Sequence, residues 1–292
     1  MARRWRVVIV IAILTMILAT ILASELFRPL NQARDFHIPS AAEAARARSL
    51  FADALEGANR GALADQAASL GPEMRRVDGG VASLALRESE GECLGRGLYR
   101  LRDDAGLPLA LVAPHRGSDR HTGTLAQLLF EEMPVTAAAW NSAPRRVTDA
   151  CPGGGDATRV DTHFLTAFSL AFADKNPGGR IVQLHGFEQG KRTSSAAQLA
   201  DIIVSEGSEE PSARLLDLAD CLSVALHPMA VAVFPLDTGE LGAQQNRQGR
   251  AVRGEGFEGF AHLELSANLR ERLVTDKALR AHFGACLVEG LE

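Results

Sequence analysis

Leu109–Gly123 reads LALVAPHRGSDRHTG, and this stretch decides the fold. Leu109 to Ala113 is an unbroken apolar run bounded by a turn signal, the pattern of a strand buried on both faces. Pro114 ends it, because proline has no N–H to give to a sheet ladder. His115, Gly117, Asp119, His121 and Gly123 follow directly. From Thr124 the pattern turns helical: TLAQLLFEE sets Leu125, Leu128 and Leu129 on one face. Strand, polar turn, helix is the arrangement by which open α/β sheets place ligand sites at the carboxyl ends of their strands. The side chains delivered there are metal ligands and acid–base groups, so the stretch reads as half of a zinc site.

Outward from this strand, apolar runs and amphipathic stretches alternate. Upstream, Ser40 with Glu43 forms a capping-box pattern that opens a helix, and a second helix is predicted over 62–70. VASLALRE (81–88) and GLYRLR (97–102) read as strands, and DDAG (103–106) predicts a hairpin from the latter into the strand at 108–113. Downstream, strands are predicted at 135–140, 181–184, 202–204, 231–235 and 259–265, with helices at 162–173, 211–226, 268–274 and 276–287. This alternation predicts an α/β domain over 41–292, a mainly parallel mixed sheet flanked by helices. Residues 238–256, rich in Gly, Gln and Arg, are expected to form a functional loop.

The N-terminus carries a different pattern. MARRWR is cationic, and Val7 to Ala23 is wholly apolar. Residues 1–24 are expected to be a signal peptide or a transmembrane anchor, with Arg3, Arg4 and Arg6 on the cytoplasmic side. Residues 25–40 then form a linker. The expected partner is the membrane, and the expected location is periplasmic or otherwise extracytoplasmic, anchored or secreted. Export permits disulfides, and the four cysteines allow three pairings. A net charge of -5 argues against a nucleic-acid partner. The sequence contains no CxxC, HExxH, GxSxG or Walker A pattern, which disfavours zinc ribbons, classical zincins, common serine hydrolases and P-loop enzymes.

Three predicted strands end in suggestive side chains: His115 and Asp119, then His185, then Glu264. A catalytic zinc takes three protein ligands and keeps one position for water. Two histidines and a carboxylate meet that count, with His121 competing with Asp119 for the second place. A further carboxylate deprotonates the water and returns the proton to the leaving amine; Glu264 is placed for this, and strand alternation puts His262 on its face. Each residue also has a plain structural reading, Asp119 as a helix-start residue and Glu264 as a strand-end ion-pair partner. Arg159, Arg247 and Arg250 are candidates for gripping a substrate carboxylate.

Taken in order, APHRGSDRHTG, DATRVD, VQLHGF, NRQGR and HLELS resemble the N-formylglutamate amidohydrolase and poly-γ-glutamate hydrolase group, which is similar in plan to zinc carboxypeptidases. The resemblance spans roughly residues 75–285 and implies His115, Asp119 and His185 as Zn2+ ligands. It implies Glu264 as general base, and Arg250 or Arg159 as the group that holds a substrate carboxylate or polarises the scissile carbonyl. Thr158 stands where the group leads one to expect a histidine. The expected activity is zinc-dependent hydrolysis of an amide bond in a small carboxylate-bearing substrate. The alternatives are a non-catalytic binding module on the same fold, or a zinc-dependent esterase or deacetylase.

Overall fold

The computed structural model describes residues 36–291, apart from 79, 90, 149, 150 and 152–154. The strands are β1 (Glu73–Val77), β2 (Ser83–Arg87), β3 (Leu98–Arg102), β4 (Leu107–Ala113), β5 (Val135–Trp140), β6 (Arg180–Phe187), β7 (Ile202–Ser205), β8 (Val231–Val233) and β9 (Phe260–Ser266). They form one nine-stranded sheet in the order β1-β2-β3-β5-β4-β6-β9-β7-β8. The helices are α1 (Ala41–Leu55), α2 (Arg60–Leu70), α3 (Thr122–Glu132), α4 (Phe164–Lys175), α5 (Ser195–Leu199), α6 (Ala213–Ala225), α7 (Arg247–Gly254), α8 (Ala267–Thr275) and α9 (Lys277–Val288).

β4 shows why the sheet has two covered faces. Its residues alternate between two cores, as the pleat requires. Leu109, Leu111 and Ala113 pack with Leu125, Leu129 and Phe130 of α3, Leu222 of α6 and Phe283 of α9. Ala110 and Val112 face Phe51 of α1 and Phe168 and Phe172 of α4. Ser40 caps α1, accepting from Glu43 N while the Glu43 carboxylate reaches back to Ser40 N, the predicted capping box.

Two expectations about the sheet are corrected, and one strand is added. It is mixed in equal measure, not mainly parallel: β5, β4, β6 and β9 run parallel, whereas β1, β2, β3 and β5 pair antiparallel in series and β7 runs antiparallel to β9. Strand β1, EMRRV, went unread because its residues are largely exposed and charged, the character of an edge. The hairpin across Asp103–Gly106 does not form either, since β5 lies between β3 and β4. The chain at Gly106 runs against the start of β5 instead. Leu107 N donates to Pro134 O at 2.6 Å, and a Cβ at Gly106 would lie 2.9 Å from Thr136 N. A further correction concerns 238–256, which is not all loop: Asn246 accepts from Gly249 N and caps α7.

The expected signal or transmembrane segment, residues 1–24, lies outside the described residues. Among the described residues no helix is long and apolar enough to cross a membrane. The transmembrane and signal part of the fold expectation is corrected to what the described residues show, an α/β domain with no such helix among them. The membrane as a partner and the periplasmic, anchored or secreted location rested on that segment, and they are withdrawn with it.

The cysteine pairing left open by the sequence is Cys93–Cys151 and Cys221–Cys286. The second bond ties α6 to α9 across a separation of 65 residues. Closing so long a loop removes entropy from the unfolded chain. Replacing both Cys221 and Cys286 by Ala is expected to lower the unfolding free energy by about 2–4 kcal/mol in urea denaturation; an unchanged midpoint and slope would contradict that account.

Candidate metal centre

The carboxyl ends of β4, β6 and β9 meet at one edge of the sheet, and each delivers part of a buried polar cluster. After β4 the chain makes a single helical turn, with Asp119 N donating to His115 O at 2.8 Å. That turn puts side chains four residues apart on one side, so Asp119 Oδ2 lies 3.4 Å from His115 Nδ1. The choice between Asp119 and His121 follows from the same turn. His121 adopts a left-handed backbone (φ 75°) just before α3 and does not line the cleft.

His185 lies within β6, one strand over, and its Nδ1 is also 3.4 Å from Asp119 Oδ2. His115, Asp119 and His185 thus each offer a ligand atom within 4.8 Å of the other two, and all three are buried. The glycine after His185 has a packing cause: a side chain at Gly186 would run into the Arg270 guanidinium, which is itself buried.

The hydrogen-bond partners fix which imidazole nitrogens face the cluster. His115 Nε2 is 2.7 Å from Asp156 Oδ1 and His185 Nε2 is 3.3 Å from Gln183 Oε1, both acceptors. Each ring therefore donates away from the cluster and turns a bare Nδ1 into it. His115 Nδ1 is buried with no hydrogen-bond partner. Metal-binding histidines characteristically hold their second nitrogen in this way. Two imidazole nitrogens and a carboxylate oxygen, converging with one lone pair already orphaned, suit a zinc ion's preferred donor set. The described residues thus fit the group the sequence leads one to expect.

Several of these supporting residues escaped the sequence reading. Asp156 comes from DATRVD and also accepts from Thr158 Oγ1, so the threonine standing in place of an expected histidine orients an acid. Gln183 is held by Asn246 and Gln248, and Gln248 donates onward to Ala157 O. NRQGR therefore contributes Asn246 and Gln248 to the support of His185. Arg250 is exposed on α7 and does not line the cleft. The usable signal was period-two alternation, which sets Gln183 beside His185 and His262 beside Glu264 on one face each.

Glu264 pairs in register with His185 across β6 and β9. It is buried, and its Oε2 has no partner. Burial, with the negative charge of Asp119 adding to it, pushes the Glu264 carboxyl up to about 7. At Asp119 burial works the same way, but the neighbouring His115 and His185 rings outweigh it and hold the carboxyl well below the usual range. Burial pushes His185 down toward the neutral ring. At His115 burial is outweighed by the neighbouring carboxylates of Asp119 and Asp156, which push the ring up.

Above the cluster opens a cleft of ≈ 610 Å³ with a cationic rim that includes Arg145, Arg146, Arg159, Lys191 and Arg192. Arg145 donates to Asp156 and Arg192 lies 3.5 Å from Glu240. Arg146 and Arg159 have no carboxylate partner among the described residues.

No protein-family model matches the sequence, and no curated protein matches it. Among solved structures the chain is similar to an N-formylglutamate amidohydrolase from Ralstonia eutropha JMP134, at 14% identity and a TM-score of 0.41 over 65% of this chain and 93% of that one. It is similar to an aspartoacylase family protein from Mesorhizobium loti at 14% identity and 0.42, covering 74% and 70%. It is also similar to a metallo-carboxypeptidase from Burkholderia cenocepacia at 15% identity and 0.35, covering 75% and 64%. The likeness in each case is one of fold.

The raised Glu264 carboxyl has a consequence for stability. Below about pH 4 both folded and unfolded states carry its proton, and there is no effect. Between there and about 7 the unfolded chain releases the proton and the folded chain keeps it, so stability falls as pH rises. In chelator-treated protein, Glu264→Gln is expected to gain about 3 kcal/mol on the wild type between pH 4 and pH 8. Parallel pH profiles of the two proteins in urea denaturation would contradict the burial argument.

Proposed function

We propose that the protein is a zinc-dependent hydrolase that cleaves an amide bond in a small substrate bearing a carboxylate. The observation that carries this reading is the convergence of bare His115 Nδ1, His185 Nδ1 and Asp119 Oδ2 beside a buried carboxyl with a free oxygen, Glu264. The sequence resemblance described above supports the same reading.

His115, Asp119 and His185 would hold the ion, with Asp156 and Gln183 fixing the two rings through their Nε2 atoms. When bound, zinc supplies Lewis acidity for the scissile carbonyl and for water. Glu264 takes a proton from water entering the cleft and returns it to the nitrogen of the leaving amine. A carboxyl poised near neutrality suits both transfers, since it accepts and releases a proton at little cost. Arg146 and Arg159, uncommitted to any described carboxylate, draw the substrate's own carboxylate to the rim and orient the amide over the cluster. Arg250 takes no part in this arrangement.

Metal content and turnover test the proposal separately. After dialysis into metal-free buffer, the wild type is expected to retain about one zinc per chain and His185→Ala none. Asp156→Ala is expected to weaken zinc binding by about 10–100-fold, because His115 loses the partner that orients it. Glu264→Gln is expected to keep the metal and lose about 10²–10⁴-fold in kcat on an N-acyl amino acid panel that includes the matching esters. Wild-type protein that takes up no zinc when supplied with it would overturn the mechanism. Faster turnover of esters than of amides would reassign the bond that is cleaved.

A further inference from the structure

We infer that the cleft floor has a second divalent-cation position, formed by His262 and Glu264 beside the first cluster, and that filling it silences Glu264. The binding stands on the geometry of these residues; the silencing rests on the proposed role of Glu264 as the base.

The argument begins with the proton on His262. Ser205 Oγ donates to Leu241 O at 3.4 Å, so it accepts from His262 Nδ1, 3.2 Å away. The ring's one proton is thereby placed on Nδ1, and Nε2 is bare. That bare nitrogen points at Glu264 Oε1, 3.7 Å distant, while Glu264 Oε2 is buried without a partner. Lone pairs facing one another out of water require a proton or a cation between them. His262 carries the support expected of a metal ligand, its second nitrogen donating to a fixed hydroxyl.

His185, His262 and Glu264 each offer a ligand atom within 4.8 Å of the other two. His185 has only one bare nitrogen, and the cluster with His115 and Asp119 claims it first. The second cation is left with His262, Glu264 and water, so it binds more weakly than the first. Its seat is built from two strands already in register. His262 stands opposite Gln183 and Glu264 opposite His185 on β6, and Ser205 stands opposite His262 on β7. Once coordinated, the Glu264 carboxylate shares its charge with the cation and loses the basicity it needs to take a proton from water. Zinc beyond the first equivalent is therefore inhibitory.

Equilibrium dialysis of the chelator-stripped full chain against graded zinc, with bound metal read by elemental analysis, tests this without reference to activity. The wild type is expected to bind about two equivalents, one tightly and one weakly. His262→Phe and, separately, Glu264→Gln are expected to keep the tight equivalent and lose the weak one. Because the tight equivalent reports an intact first cluster, it distinguishes loss of the second seat from failure to fold. A wild type that saturates at about one equivalent overturns the second position, leaves the proposed function standing, and means that a proton fills the gap between His262 and Glu264. A wild type that binds none overturns both. A weak equivalent that survives in both variants overturns its assignment to these residues.

Discussion

The arrangement at the sheet's edge depends on one buried carboxylate. Asp119 has two imidazoles within 3.4 Å of a single oxygen and is largely shut off from water. A carboxylate in that position is costly unless it is compensated, and compensation must come from fixed donors. Gly186 N provides one, at 3.2 Å, and the two bare imidazole nitrogens 3.4 Å away leave the rest to a cation. Each histidine then needs a partner for its outer nitrogen, which brings in Asp156 and Gln183, and behind Gln183 come Asn246 and Gln248. The polar interior is thus a chain of consequences from a single buried charge. Such a network stabilises a unique arrangement only when every member is satisfied. The atoms left unsatisfied, His115 Nδ1 and Glu264 Oε2, lie where a ligand would sit.

Much of this was legible in the sequence because buried strands leave an unmistakable mark. LALVA can only be a strand covered on both sides, and the proline after it fixes where polar side chains begin. The strands at Val135–Trp140 and Phe260–Ser266 and the capped helix after Ser40 were readable for the same local reasons. What failed was non-local. DDAG has the composition of a hairpin turn, but whether its flanking strands pair depends on what else competes for the edge of β4, and β5 takes that edge. EMRRV has no apolar face to betray it, and its strand exists because β2 offers an edge to pair with.

The site divides along the same line. His115, Asp119, His185 and Glu264 could be singled out because each sits at or near the carboxyl end of a recognisable strand. Asp156 could not, because a loop of glycines gives no period from which to infer where its side chain goes. Arg250 was singled out for its charge and through the family resemblance, and α7 turns it to solvent while using the less conspicuous Gln248 as an internal strut. Charge marks a residue as noticeable; burial and a geometric partner decide whether it belongs to a site.

The Cys93–Cys151 bond joins the loop after β2 to the segment that goes on to carry Asp156. Phe36 packs against this bond and stacks on His163, the N-cap of α4. The tether fastens the middle of the 141–159 stretch, which bears three of the rim arginines and the acid that steadies His115. The clustered side chains of His115, Asp119 and His185 themselves stand on or just after β4 and β6, at the sheet's edge. Two rates of change in evolution follow from this division. Substitutions along the tethered rim can alter which molecules enter the cleft while the strand-borne cluster stays as it is. Asp156 is the position where the two regions meet, and there a change made for selectivity would also be felt by the chemistry.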